Sequence, residues 1–371
     1  MSLLVMYQKF GISILTYVNM PHSANHYNAS YFIIIGALFM QDELLYQMQN
    51  SFPMIQKPFH QLAKELDASP EEVIDLVQKL KDEKIIRQTS AIFDTKRLGY
   101  KSSLVAFKVA EEQIDQAAKI INAHPGVSHN YLRNHDYNIW FTMAVAPNSK
   151  FGLEKTIEIL AEQTGAEDFI ILPTLKMFKI SVKMDTTGKR AKKEKVKKLA
   201  FKEINLTPLH IAVIKELQKD IQIVEEPFKE AAKKLKLSYE EFFDIAKELK
   251  ESGVMRRFAT ILNHRKAGFG ANAMSVWVAP EENAEEIGKE LANFSAVSHC
   301  YLRPSYPNWR YNLFAMVHAK TQEECDALIE EMAKENGLSE YGKLYSTVEF
   351  KKQRIVYFDE AFEAWENGMG D

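Results

Sequence analysis

The chain has 371 residues, 46% of them hydrophobic and 26% charged, with a formal net charge of -3. This length implies two to four domains, and the composition is that of an ordinary soluble globular protein. The charge gives no general basic field for nucleic acid; the two cysteines, Cys300 and Cys325, lack metal-ligand spacing and fit a reducing, cytoplasmic setting.

Residues 1–39 carry two apolar stretches, 12–18 and 31–40, separated by the polar run 21–30. Neither reaches the roughly 18–20 apolar residues that span a bilayer. Lys9 is the only positive charge ahead of the first stretch, and no small-residue cleavage site follows it. The segment therefore reads as an extension outside the main fold, an upstream start ahead of Met40, with no membrane role.

From Met40 onward the chain repeats itself. Residues 85–110 (IIRQTSAIFDTKRLGYKSSLVAFKVA) align with 254–279 (VMRRFATILNHRKAGFGANAMSVWVA), pairing Arg87 with Arg256, Ile92 with Ile261, Gly99 with Gly268 and Val109 with Val278. The offset, about 169 residues, is too long for a solenoid, so the repeating unit is a pair of domains.

Each unit opens with helices. Apolar residues at helical spacing predict helices over 41–50 and 209–219, then 59–66 and 228–235. A third helix follows Ser69 or Ser238, each with glutamate three residues on (Glu72, Glu241), the capping-box pattern. Three helices followed by a short hairpin describe a winged helix-turn-helix, assigned to residues 40–100 and 207–270.

Strands and helices then alternate. Unit one predicts strand 103–109, helix 113–123, strands 127–133 and 138–145, helix 150–164 and strand 169–182. Unit two predicts strand 273–278, helix 284–293, strands 297–303 and 311–317, helix 322–336 and strand 343–350. Both are β-α-β-β-α-β, a ferredoxin-like arrangement over 101–185 and 271–358. The fold class is thus α+β, in tandem. Residues 186–206, with the basic run GKRAKKEKVKK, read as an exposed linker, and 359–371 as a C-terminal tail.

One motif occurs in both units: VSHNYLRNHDYN from 127 and VSHCYLRPSYPNWRYN from 297. His129, Tyr131 and Arg133, like His299, Tyr301 and Arg303, alternate along a strand and so share one face. Such a face suits binding of anions and donation of protons. Other polar residues have plainer readings. His264 fits a wing or turn, His318 a structural strand end, Tyr137 the core, and Asn138 and Asn312 bonds to backbone.

A winged helix-turn-helix followed by a ferredoxin-like domain resembles the Lrp/AsnC regulators, taken twice over residues 40–371. A regulator's recognition helix needs lysine or arginine. Here that helix opens with Glu71, Glu72 and Asp75 in unit one and Glu240, Glu241 and Asp244 in unit two, while Lys79, Lys81 and Lys84 come late. No specific DNA is therefore expected, and a regulator sensing a heme precursor is the alternative reading.

The motifs VSHNYLRNHDYNIW, VMRRFATILNHRKAGF and VSHCYLRPSYPNWRYNLFAMVH resemble one branch of that group, the siroheme decarboxylases. The first is similar to one subunit of that enzyme. The other two are similar to its partner subunit, so the chain reads as both subunits fused. The resemblance implies loss of carbon dioxide from two acetate side chains of siroheme. The product would be 12,18-didecarboxysiroheme, leading to heme d1 or, by an alternative route, heme b. It implies no cofactor beyond the iron of the substrate, siroheme and its mono- and didecarboxylated products as ligands, and an intramolecular pseudo-dimer open to further homo-oligomerisation.

That substrate needs guanidinium groups for its carboxylates and aromatic surface for its ring. Arg87, Arg133, Arg256, Arg257, Arg303 and Arg310 are the candidate cations, and Tyr131, Trp140, Tyr301, Tyr306, Trp309 and Tyr311 the candidate aromatics. His129, His135 and His299 are candidate proton carriers, and His129 or His135 is a candidate ligand to the substrate's iron. The sequence does not divide these roles. Unit one lacks the Trp309–Arg310 insertion, so the two clefts are expected to differ.

Overall fold

The computed structural model describes the backbone of residues 2–9, 12–19 and 29–39 and all atoms of residues 40–180, 201–263 and 271–369. Strands β1 (Ser2–Lys9) and β2 (Ile12–Asn19) form an antiparallel pair. Unit one then runs α1 (Ala29–Asn50), α2 (Pro58–Leu66), α3 (Pro70–Asp82) and β3 (Ile86–Phe93), followed by β4 (Lys101–Lys108), α4 (Ile114–Ala123), β5 (Val127–Arg133), β6 (Ile139–Val145), α5 (Gly152–Thr164), β7 (Asp168–Pro173) and β8 (Lys176–Ile180). Unit two runs α6 (Pro208–Leu217), α7 (Lys229–Lys234), α8 (Tyr239–Glu251) and β9 (Met255–Leu262), then β10 (Ala271–Trp277), α9 (Ala284–Asn293), β11 (Val297–Leu302), β12 (Leu313–Ala319), α10 (Gln322–Glu335), β13 (Tyr341–Lys352) and α11 (Ala361–Asn367).

Local chemistry explains the helix starts. Ser69 Oγ accepts the Glu72 backbone N–H while Glu72 accepts from the Ser69 N–H, and Ser238 and Glu241 do the same. Both predicted capping boxes are therefore formed. The first helix differs from expectation. It begins at Ala29 rather than at 41, because the proline-free apolar run 31–40 extends it into the N-terminal segment. Among the described residues no helix is long and apolar enough to cross a membrane.

Among the described residues, neither wing strand pairs within its own unit as the expected hairpins would. Instead β3 of unit one pairs antiparallel with β9 of unit two, Thr89 opposite Thr260 and Ser90 opposite Ala259. Each wing strand finds its partner in the other unit, so the helical domains share one core. Phe59, Leu62 and Val77 join Ile214, Phe242 and Leu249 in it, and Phe52 packs on Phe258 at 5.3 Å. Gly268 and His264 of the second wing lie outside the described residues, as does the basic run of the linker.

The two ferredoxin-like domains merge into one nine-stranded sheet, ordered β7-β4-β6-β5-β13-β10-β12-β11-β8. The first half of β13 pairs with β10 and its second half with β5 of unit one. In the mirror relation, β7 pairs with β4, the strand is interrupted at Thr174-Leu175, and β8 pairs with β11 of unit two. Each unit thus lends an edge strand to the other, closing edges that would otherwise invite mispairing. The helices cover the outer faces over two separate cores. The inner faces meet in a third core built by both units, with Ala106, Trp140 and Leu172 against Met274, Val276 and Phe314. This is the expected pseudo-dimer. The expected C-terminal tail carries α11, which docks on unit one: Phe362 and Glu366 are buried, and Glu366 accepts the Lys150 N–H at 2.9 Å.

Candidate active site

A β-bulge sets the face of each repeated motif. The β5–β6 register shifts between Val127 and His129, and the β11–β12 register between Val297 and His299. Val127 and Val297 pack toward the helices, and after the bulge so do Asn130, bonded to Asn122 of α4, and Cys300, facing Gly288 of α9. The extra residue rotates the rest of the strand. His129, Tyr131 and Arg133 turn to the inner face, and so do His299, Tyr301 and Arg303.

The copies match in detail. His129 stacks on Tyr131 with centroids 6.2 Å apart and planes at 27°; His299 stacks on Tyr301 at 6.2 Å and 28°. Ser128 Oγ lies 3.0 Å from His129 Nδ1, and Ser298 Oγ lies 2.8 Å from His299 Nδ1. Burial pushes both imidazoles down to about 4. Lys352 and Arg87 add to this at His129, and His318, His129 and Arg256 at His299. The two motif histidines are thus near enough for charge on one to oppose charge on the other. Both rings are neutral at neutral pH. Burial pushes Tyr131 up to about 12 and raises Tyr301, so both phenols keep their protons.

The wing sheet brings the cations. Arg87 of β3 donates to the Lys352 carbonyl at 2.7 Å. Arg256 of β9 grips Asp94 through Nε and Nη2 at 3.2 and 2.7 Å. Arg257 is held below its usual range by burial and by Arg256. Arg354, just past β13, donates to Ser90 Oγ at 3.0 Å; burial, with Arg87 and Arg257 nearby, pushes it down to about 10. No carboxylate acts on Arg257 or Arg354 among the described residues. Around the histidines the cations outnumber the carboxylates Asp94 and Glu349, a field that a polyanion would neutralise.

Arg133 and Arg303 stand apart from the other arginines. Each is buried and donates to a carbonyl of the other unit: Arg133 to Leu344 at 2.7 Å, Arg303 to Leu172. Each Nε has no partner among the described residues, and burial pushes both guanidiniums down to about 10. They hold the units together and aim charge at Tyr131 and Tyr301, lying 5.4 and 4.8 Å from those rings.

Six candidates lie elsewhere. Trp140 and Trp309 are 1% and 2% exposed and pack on each other at 5.2 Å between the sheets, so neither indole offers a face to a ligand. Tyr311 packs edge-on against Trp309. His135 packs against Trp309 at 5.2 Å, with its Nδ1 accepting the Tyr137 N–H, rather than beside His129 and His299. Arg310 is 66% exposed and pairs with Glu340 at the surface. Tyr306 donates to the Ile171 carbonyl at 2.6 Å. The plainer readings hold: Tyr137 is buried and donates to Asp168, while Asn138 and Asn312 bond the backbone of Val109 and Ala279.

Comparison with known proteins decides the family. Residues 97–179 and 266–351 match the AsnC-like ligand binding domain, and residues 41–87 and 211–256 match the siroheme decarboxylase NirDL-like HTH domain. The siroheme decarboxylase of Hydrogenobacter thermophilus is 43% identical over 324 residues, 87% of this chain and 96% of the relative. The chain belongs to the siroheme decarboxylase family. The crystal structure of the siroheme decarboxylase NirDL in co-complex with an iron-uroporphyrin III analogue superposes with a TM-score of 0.72 at 38% identity, covering 89% of this chain and 98% of that one. The siroheme decarboxylase beta subunit of Methanosarcina barkeri is 42% identical over 145 residues, 39% of this chain and 95% of the relative. A subunit that is a separate chain there corresponds to one portion of the single chain here.

For this siroheme decarboxylase family member, sequence reasoning missed Ser128, Ser298, Thr142, Lys352 and Arg354. The serines precede the motif histidines and look like outward strand residues until the bulge turns them. The basic run Lys351-Lys352-Gln353-Arg354 directly after the last strand is the signal that could have found Arg354.

Proposed function

We propose that the chain decarboxylates siroheme, turning two ring acetates into methyl groups. The observation that carries this reading is a field in which cations outnumber carboxylates around two neutral imidazoles, His129 and His299. A flat macrocycle bearing eight carboxylates matches that field. The match to a relative crystallised with an iron-uroporphyrin III analogue supports the same class of ligand.

Arg87, Arg257, Arg354 and Lys352 are the proposed carboxylate grips, through charge-assisted hydrogen bonds. Arg256 is partly occupied by Asp94 and acts as a second rank. Tyr131 and Tyr301 present phenol donors beside the imidazoles. Decarboxylation breaks the bond from methylene carbon to carboxylate, leaves the electron pair on carbon, and consumes one proton as carbon dioxide departs. A histidine near 4 is a poor acid reservoir at neutral pH. Entry of a polyanion opposes part of that: its charge offsets Lys352 and Arg87 at His129 and Arg256 at His299, which raises both imidazoles and favours their protonation. Neutral imidazole is also the form that ligates iron, and His129 is the proposed ligand to the substrate's metal.

The test is anaerobic incubation of the purified chain with siroheme under reducing conditions, with the tetrapyrrole weighed afterwards. Loss of the mass of two carbon dioxide molecules is expected. Recovery of unchanged siroheme would overturn the reading.

A further inference from the structure

Ser298 sits between two imidazoles. Its Oγ lies 2.8 Å from His299 Nδ1 and 2.6 Å from His318 Nε2. A hydroxyl has one proton to give, so its two partners cannot both be acceptors in the same state. One ring presents N–H to Oγ while the other receives O–H. The chain N–H···O–H···N therefore passes a proton from end to end by shifting every hydrogen one step.

Unit one has the same serine with a different partner. Ser128 Oγ lies 3.0 Å from His129 Nδ1 and 2.7 Å from Thr142 Oγ1. The registers pair Val127 with Met143 and Val297 with Val317, so the next residue on each strand, Ala144 or His318, is equivalent. Their backbones agree: Ala144 N donates to Gly126 O and His318 N to Ala296 O, both at 3.0 Å. Ala144 is fully buried, whereas His318 is half-buried. The network of unit one ends in an alcohol; that of unit two ends in a ring able to take up a proton.

We propose that His318 acts through Ser298 as a positioning residue of the decarboxylation, returning a proton to His299 Nδ1 each time His299 Nε2 gives one to the substrate carbon. The cleft of unit two is then the one that completes the methyl group. The inference rests on the siroheme decarboxylase reading. The step balances: the carboxylate leaves as carbon dioxide, its bonding pair stays on the methylene carbon, and one solvent proton arrives through His318, Ser298 and His299. Two acetates need two such deliveries; between them each hydrogen of the chain hops back one step as His299 Nε2 takes a new proton from solvent, which restores the starting tautomer.

The test follows anaerobic single turnover of siroheme by the full chain as wild type, His318→Gln, His318→Ala and Ser298→Ala, recording the bound spectrum and both products. The relay predicts that each loss of carbon dioxide that draws its proton from His299 slows by about 10² in each variant, with the bound spectrum unchanged. Added imidazole should restore the rate in His318→Ala. Ser298→Ala keeps both rings and must reproduce the slowing. Wild-type rates in His318→Gln, slowing that imidazole does not relieve, or loss of siroheme binding would each overturn the relay while leaving the enzyme reading intact. A wild-type chain that releases no carbon dioxide would instead sink that reading, and the relay with it.

Discussion

The guanidinium of Arg133 in unit one donates a 2.7 Å hydrogen bond to the carbonyl of Leu344 in unit two. Arg303 returns the contact to Leu172. These arginines, one from each copy of the repeated motif, tie the inner faces together where two sheets exchange strands. Arg133→Ala would leave a carbonyl unpaired at this junction and should cost about 2 kcal/mol. Urea unfolding measures it, and an unmoved midpoint would show that the tie carries no stability.

The histidines should separate by place. His129→Ala and His299→Ala should each slow decarboxylation by about 10²–10⁴. His135→Ala should keep most of the rate, because His135 packs beside Trp309. The variant that loses an axial ligand should also change the visible spectrum of bound siroheme. A His135→Ala enzyme as slow as the other two would move the active site toward the Trp309 cluster.

Arg354→Ala and Arg257→Ala should chiefly weaken binding. Each removes a cation from carboxylate groups already desolvated, a loss of about 1.5–3 kcal/mol, or roughly 10–100-fold in Kd. Titration with an iron-uroporphyrin analogue reads this directly. Arg310→Ala, remote and exposed, should bind as wild type does. Equal weakening by all three would point to long-range charge rather than contact.

The acid side of the stability curve should be steep. His129 and His299 are held at about 4 and His124 at about 3, burial being the main cause for each. All lie below the usual 6.5, so the unfolded chain binds protons that the folded chain refuses. Stability is then full above pH 6.5 and falls as pH drops toward 4, by at most about 1.4 kcal/mol per pH unit for each histidine. His124 Nδ1 accepts the Gly126 N–H, so His124→Gln, which cannot titrate, should flatten the slope. Binding of the iron-uroporphyrin analogue should take up protons, seen as calorimetric enthalpies that depend on the buffer. Proton release on binding would contradict the electrostatics of the site.

DNA binding should be weak, unselective and salt-sensitive. Glu72 and Glu241 are engaged in capping the candidate recognition helices, and both wings are paired with each other. Footprinting at physiological salt, with and without siroheme, should give no protected operator. A sharp footprint would revive a regulatory role.

Much of this was legible in the chain. The repeat, the capping serines and the His-Tyr-Arg alternation are local patterns, and local geometry followed them. Three things were not local. Pairing of β3 with β9 joins residues far apart in sequence, and nothing in either strand names its partner. The bulges at Ser128 and Ser298 insert one residue into a period of two, which no periodic reading detects. Trp140 and Trp309 stand beside arginines in sequence and looked like a stacking platform; only the packing of sheet on sheet buries them. Arg354 was overlooked because it lies past the last strand, where no motif directs attention.

The exchanged edge strands also bear on molecularity. Each half of the sheet is completed by the other half, and relatives such as that of Methanosarcina barkeri have a subunit as a separate chain. Here both halves are one polypeptide, which fixes their ratio at one to one and replaces a bimolecular encounter by an intramolecular one. Activity per molecule should therefore survive dilution that would dissociate a pair of free subunits. A single cut between Ile180 and Phe201 should leave one particle, still held by β8 on β11 and β13 on β5.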